Sequence, residues 1–210
     1  IDHLVQDFDN TKQNYGVVDN HPELLDLNYA NSQNNDYTHV NGIDYNSALD
    51  QILFSARHLN EIYIIDHSTT TQEAASHSGG NANKGGDFLW RWGNSEVYTK
   101  DSNDIQTLFL QHDSKWVDQG NLDGGKISVF NNGGDVSGTF SAVHLIEPVF
   151  VNGVYNMQNS RFLPQSYNYS WSGSIMGDTL QEGRKSGVES LANGNLLICE
   201  SSKGQMSEID

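Results

Sequence analysis

The chain has 210 residues, a formal net charge of −16 at pH 7 and a single cysteine. The acidic balance argues against a nucleic-acid partner, because phosphate backbones select basic surfaces, and one cysteine excludes an internal disulfide or a cysteine-based zinc site. No apolar run is long enough to cross a bilayer, so we expect no membrane insertion.

We predict that residues 1–35 form an acidic lead-in of loop character, because no regular alternation of apolar and polar residues runs through them. It begins at Ile1 without a methionine, as a mature or truncated product would. The remaining segment, 36–210, carries strand patterns, and we interpret it as one partial domain.

The stretch "SALDQILFSARHLNEI" resembles an amphipathic helix at first sight. We favour two strands, because "QILFSA" and "EIYIID" alternate in the β manner and polar residues separate them. A strand centred on tryptophan, "FLWRWGN", follows after a long polar loop. We interpret Trp90 and Trp92 in this strand, and the later Trp171, as packing residues between sheets.

This order of strands recurs in three units, 36–94, 109–173 and 184–210, at an interval of about seventy residues. Each unit has a short strand, a turn rich in Asp, Asn or Gly, and two further strands, and the first two units continue to a tryptophan-centred strand. The sequence therefore predicts an all-β fold, a β-propeller of four-stranded antiparallel blades. About three blades are present, and closure needs about four to eight, so the rest of a longer chain or other subunits would supply the remainder.

The repeat places two histidines at equivalent positions. His39 of "HVNGID" and His112 of "LFLQHDSKW" begin successive first strands, where the third unit has Gly187. First strands line the channel of a propeller, so both histidines should face one axis. Arg57 follows the second strand of the first unit and can reach the same mouth. An arginine fork with two histidines suits a tetrahedral oxyanion.

Two simpler interpretations stay open at this point. His112 can be a hydrogen-bonded polar residue at a strand end. Arg57 can pair with Glu61 or Asp66 on a solvated edge, an arrangement that contributes little to stability.

The segments "YTHVNGIDYNSALDQILFSARHLNEIYIID", "GGDFLWRWGN" and "QHDSKWV" together resemble the bacterial arylsulfotransferases that do not use PAPS. That family is built on a six-bladed β-propeller, and this chain would cover about half of a member. The resemblance implies that His112 is a nucleophile, which takes a sulfuryl group from an aryl sulfate, forms a transient sulfohistidine and passes the group to a phenol. It implies that His39 binds the sulfonate or shuttles the phenol proton, and that Arg57 holds sulfonate oxygens.

The resemblance also implies a small phenolic donor and acceptor, no cofactor and no metal, and a periplasmic or extracellular location. The family has a further active-site histidine from an earlier blade, which has no match here, and a disulfide that one cysteine cannot form. The alternative is a non-catalytic extracellular propeller that serves as a binding or scaffold protein. A scaffold has no need of His39, Arg57 and His112 together.

Several other residues carry weaker signals. The loop 64–87 could hold a divalent metal, and the candidate ligands in it are His67, His77, Asp66 and Glu73. Their spacing matches no standard metal motif. A loop that rims the funnel is the simpler interpretation. Trp116 is interpreted as a core residue rather than a substrate contact. By strand alternation, His58 should point away from Arg57, and Asp113 should be a turn or blade-anchoring residue instead of a partner of His112.

Overall fold

A computed structural model describes residues 3–29, 36–104, 106–135 and 137–210. The lead-in holds one short parallel pair and a single turn of 3-10 helix: β1 (Leu4–Val5), β2 (Leu25–Asp26) and the 3-10 helix Val18–Asn20. Three apolar side chains of this region form a small core of their own, Val5, Val18 and Leu24.

The first blade is a four-stranded antiparallel sheet whose strands follow chain order. Its strands are β3 (Val40–Asn46), β4 (Gln51–Ala56), β5 (Glu61–Asp66) and β6 (Phe88–Trp92). The segments predicted as strands rather than a helix are strands. A one-turn helix α1 (Thr71–Ala74) lies in the loop between β5 and β6, and α2 (Glu96–Thr99) follows β6.

The second blade is also four-stranded and antiparallel, but two small hairpins interrupt it before the outer strand. The blade consists of β7 (His112–Trp116), β8 (Ile127–Asn131), β9 (Ala142–Ile146) and, after the hairpins, β14 (Tyr169–Trp171). The hairpins are β10 (Phe150–Val151) with β11 (Val154–Tyr155), and β12 (Met157–Gln158) with β13 (Arg161–Phe162).

A third hairpin, β15 (Ser174–Ile175) with β16 (Asp178–Thr179), leads to the third blade. That blade has three antiparallel strands, β17 (Gly187–Ser190), β18 (Leu196–Glu200) and β19 (Gln205–Ile209). The predicted all-β, propeller-like fold is confirmed. None of the helices among the described residues has the length and apolar character needed to cross a bilayer.

Side-chain alternation explains why the blades stack. In β8, Val129 joins the core between the first and second blades, whereas its neighbour Phe130 joins the core between the second and third. Successive residues of a strand point to opposite faces, so one apolar strand can serve two interfaces. Trp90 and Trp92 are buried in the first of these cores and Trp171 packs against the second, as predicted. Trp116 packs against the first core.

Candidate active site

His112 is the first residue of β7, and the residue before it fixes its position. Gln111 is buried, and its Nε2 donates to Ser55 Oγ at 3.1 Å, to Ala56 O at 3.2 Å and to Glu61 O at 2.9 Å. The Gln111 carbonyl in turn accepts from Asn41 Nδ2 at 2.7 Å. The second blade is therefore bonded to the first immediately beside His112.

The hydrogen bonds of His112 assign a role to each ring nitrogen. Nδ1 lies 2.7 Å from Asn132 Oδ1 and 3.1 Å from Leu110 O. The Asn132 amide orientation is set because Nδ2 donates to two carbonyls, Glu182 O at 2.8 Å and Lys185 O at 2.9 Å. Both partners of Nδ1 are acceptors, so Nδ1 carries the proton.

The other nitrogen, Nε2, then presents a lone pair. It accepts the backbone N–H of Lys185 at 3.2 Å. Burial lowers the pKa of His112; hydrogen bonds to Asn132 and Leu110 oppose that change, and the charges of Arg57 and His39 add to it. A lowered pKa keeps the imidazole neutral near pH 7, the state in which Nε2 is a nucleophile.

His39 precedes β3 in a left-handed backbone conformation, with φ of 49°. Its Nδ1 makes a short hydrogen bond to Asp36 Oδ2, and its backbone N–H donates to Asp36 Oδ1 at 3.1 Å. The hydrogen bond to His39 is the main cause of a lowered pKa at Asp36. A His–Asp pair therefore exists in this protein, and it joins His39 to Asp36.

His58, which alternation predicted to point away from Arg57, lies beside His39. β4 ends at Ala56, so strand alternation does not extend to His58. Its ring lies 4.8 Å from that of His39, and its Nδ1 donates to Asp36 O at 2.8 Å.

Arg57 has no carboxylate within ion-pair distance in the described part of the chain. Its proposed partner Glu61 is bonded to Arg91, and Asp66 accepts hydrogen bonds from Ser68 and Ala82. Burial lowers the pKa of Arg57, the charge of Arg184 lowers it further, and that of Asp36 opposes both. Pairing with Glu61 or Asp66 is therefore excluded.

The sequence pattern of the family described as "Arylsulfotransferase (ASST)" matches residues 3–170. The chain belongs to the arylsulfotransferase family. A comparison with curated proteins finds no match. The matched residues include His39, Arg57 and His112, and they end before the turn that holds Arg184.

Three contributors to this candidate site were not predicted from the sequence. Asp36 is the first residue after the lead-in, and Asn132 follows β8 in "FNNGG", which reads as a turn. The third contributor is the turn of Arg184 and Lys185. Lys185 and Ser186 both have positive φ, 58° and 71°, so the backbone is held in a costly conformation where it meets His112.

Asp113 behaves as a blade anchor, as predicted. Its Oδ2 accepts the backbone N–H of Val188 at 2.9 Å, which joins the second blade to the third. Gly187 makes this possible, because a Cβ there would lie 2.2 Å from Asp113 Oδ2. Asp113 also has a positive φ of 54°, at a bulge in β7 between His112 and Lys115.

Proposed function

We propose that this chain carries the transfer site of an arylsulfotransferase that moves a sulfuryl group from a phenolic sulfate ester to a phenol through a sulfohistidine at His112. The observation that carries the proposal is that His112 Nδ1 faces two acceptors, which places its proton there. With Nδ1 committed to Asn132 and Leu110, the lone pair of Nε2 is available for attack.

In the first half-reaction, the Nε2 lone pair forms a bond to sulfur while the bond from sulfur to the aryl oxygen breaks. The electron pair of that bond leaves with the phenolate, and protonated His39 supplies its proton. Asp36 fixes the orientation of the His39 ring, because its carboxylate bonds to Nδ1. The modified His112 ring is cationic and still donates Nδ1–H to Asn132.

In the second half-reaction, His39 takes the proton of the acceptor phenol. The phenol oxygen bonds to sulfur, the N–S bond breaks, and its electron pair returns to Nε2. Donor and acceptor use the site in turn, which gives ping-pong kinetics.

Positive charge supports this proposal. Sulfuryl transfer resembles phosphoryl transfer, in which positioning and charge neutralisation provide most of the catalysis. The charge of Arg184 is close enough to lower the pKa of Arg57, and Lys185 follows Arg184. In a chain of net charge −16, this local cluster of positive residues favours the binding of an anion. The backbone N–H of Lys185 donates to His112 Nε2, and we propose that it donates instead to a sulfuryl oxygen when the donor binds.

The rest of the assignment is also a proposal. Segment 36–210 is part of a six-bladed propeller in the periplasm or outside the cell, and residues 1–35 precede it. The far face of the third blade presents apolar side chains on which a further blade can pack. Leu197 and Cys199 are only half-buried there, and Met206 is 69% exposed.

The test uses the full-length protein with 4-nitrophenyl sulfate and a phenol acceptor. His112→Ala should abolish transfer, and His67→Ala, which changes an exposed histidine in the loop 64–87, should leave it unchanged. Mass spectrometry after incubation with donor alone should find a sulfonated peptide that contains His112. Transfer that persists in His112→Ala would disprove the mechanism, and binding of aryl sulfate without any turnover would favour the non-catalytic propeller.

A further inference from the structure

A second cluster of histidine and carboxylate side chains joins the lead-in to the first blade. His3 Nδ1 and His77 Nδ1 both approach Asp87 Oδ1, at 2.9 Å and 2.8 Å. The candidate ligand atoms of the three residues lie within 4.8 Å of one another. We propose that His3, His77 and Asp87 bind a divalent transition metal of the zinc type, which fastens the lead-in to the loop 64–87.

The proton positions on His3 favour this assignment. Its Nε2 lies 2.9 Å from Ala74 O, a pure acceptor, so Nε2 carries a proton. In the neutral ring Nδ1 then has a lone pair, and that lone pair points at a carboxylate oxygen. A cation between them removes this repulsion. A histidine whose far N–H donates to a backbone carbonyl is also the usual arrangement of a metal ligand.

The backbone around the cluster is shaped to admit the His3 ring. A Cβ on Gly86 would lie 2.2 Å from Ala74 O and 2.9 Å from His3 Nε2, so only glycine fits between them. Ala74 ends α1, whose first turn is closed by a capping box between Thr70 and Glu73. The carbonyl that orients His3 is therefore held by a rigid turn.

Backbone hydrogen bonds fix the segments that carry His3 and Asp87. Leu25 N–H donates to His3 O at 3.0 Å, and Phe88 N–H donates to Glu23 O at 3.0 Å. Asp87 immediately precedes β6, and its side chain is only 5% exposed. A buried carboxylate beside two imidazoles on fixed backbone is a preorganised ligand set.

The donor atoms indicate the class of metal. Two imidazole nitrogens and one carboxylate suit zinc and its first-row neighbours, whereas calcium and magnesium prefer oxygen ligands. With zinc bonds of about 2.0–2.1 Å, tetrahedral ligands lie roughly 3.3 Å apart, so the two short contacts need to open by about half an ångström. His77 is 53% exposed, which leaves the remaining coordination position open to solvent.

Of the loop residues considered as ligands from the sequence, only His77 belongs to this cluster. His67 Nδ1 lies 2.7 Å from Asp50 Oδ1, and Glu73 belongs to the capping box. His3 comes from the lead-in, about seventy residues earlier in the chain, so no local spacing motif could reveal it. The proposal does not depend on sulfuryl transfer.

A second group with metal-ligand spacing exists among the described residues, formed by Asp36, His39 and His58. It belongs to the candidate active site, and its Asp36–His39 hydrogen bond already satisfies both residues. The experiment must therefore distinguish the two groups.

The full chain is treated with EDTA, dialysed and titrated with Zn²⁺ by calorimetry, and Co²⁺ is used as a spectroscopic probe. The wild type should bind one equivalent that raises Tm. His77→Ala changes an exposed side chain and should weaken this binding by on the order of 100-fold, and His3→Gln should do the same. Two controls, His67→Ala and His58→Ala, should retain it.

The proposal is overturned if the wild type shows no saturable Zn²⁺ binding, which would leave His3 and Asp87 joined only by their hydrogen bond. It is equally overturned if His58→Ala, and not His77→Ala, removes the bound equivalent. If His3→Gln does not fold, His77→Ala decides the question.

Discussion

At the scale of single residues, the sulfuryl transfer proposed for this protein depends on how one imidazole is held. A free histidine exchanges its proton between two nitrogens, and only one tautomer of His112 has a lone pair on Nε2. Asn132 selects that tautomer, because two carbonyls fix its amide and leave Oδ1 to face the ring. Asn132 does not contact the reacting atoms, so it is a positioning residue.

Substitution of Asn132 should therefore change the pH profile as well as the rate. Asn132→Ala removes the acceptor and should lower kcat roughly 10–100-fold. Asn132→Asp keeps an acceptor but adds a negative charge, which raises the pKa of His112. Protonated His112 cannot attack sulfur, so the acidic limb of the kcat profile should move to higher pH.

The matched control is Asn156→Asp, which adds the same charge at an exposed position between two hairpins. Its profile should match that of the wild type. An unshifted acidic limb in Asn132→Asp, measured on folded protein, would show that Asn132 does not control His112.

At the scale of elements, a buried ion pair within the first blade also holds the lead-in through hydrogen bonds of its arginine. Arg91 in β6 and Glu61 in β5 are both fully buried, with Arg91 Nε 2.9 Å from Glu61 Oε1 and a second, short bond from Nη2 to Oε2. Arg91 Nη1 also donates to Leu24 O at 2.9 Å. The guanidinium lies 4.6 Å from the centre of the Tyr98 ring.

Removal of the arginine should be far more harmful than loss of a surface pair. Arg91→Met leaves the Glu61 carboxylate buried without a counter-charge and should reduce the free energy of unfolding by about 3–5 kcal/mol. Urea denaturation measures this. Lys12→Met, which breaks an exposed pair with Asp9, should change it by less than about 1 kcal/mol.

The double variant Glu61→Gln with Arg91→Met tests the cause. It should be more stable than Arg91→Met alone, because the unpaired charge is gone. A double variant no more stable than the single one would mean that the lost carbonyl contacts, rather than the charge, dominate.

At the scale of the whole molecule, stacking of the blades buries a histidine that is not part of the candidate active site. His144 in β9 is 2% exposed and stacks on Tyr167, with ring centres 4.3 Å apart. Its Nε2 accepts from Asn131 Nδ2 at 3.1 Å, and Nδ1 has no partner among the described residues. Burial lowers its pKa from 6.5 to about 4.

This histidine should make the fold sensitive to mild acid. His144 takes up a proton near pH 6.5 in the unfolded chain and only near pH 4 in the folded chain. Its contribution to stability is therefore present above pH 6.5 and is lost as the pH falls from 6.5 towards 4. Between pH 7 and pH 5 the loss should be on the order of 2 kcal/mol. The comparison is with His144→Gln, which cannot titrate.

Urea denaturation at both pH values isolates the effect, because titrating carboxylates contribute equally to both proteins. His67→Gln, a change at an exposed histidine, should follow the wild type. An equal loss in wild type and His144→Gln would show that His144 titrates normally in the fold.

Local patterns were sufficient to predict the strands of the blades and their repeat, although not the small hairpins between them. The segments "QILFSA" and "EIYIID" are β4 and β5 residue for residue, because alternation of apolar side chains depends only on neighbours in the chain. The repeat also placed His39 and His112 at equivalent strand starts. Those residues and Arg57 were found because each lies beside a recognisable strand.

By itself the sequence determined the all-β class, the order of the blades and the family, and it named three residues of the candidate active site. Only the tertiary structure decided how those residues are paired. Lys185 meets His112, and His3 meets Asp87, because stacked blades and a packed lead-in bring distant segments together. Asn132 meets His112 because β7 and β8 pair within one blade, and Asp36 reaches His39 across a local turn. Such contacts depend on backbone turns and side-chain rotamers that no local periodicity encodes.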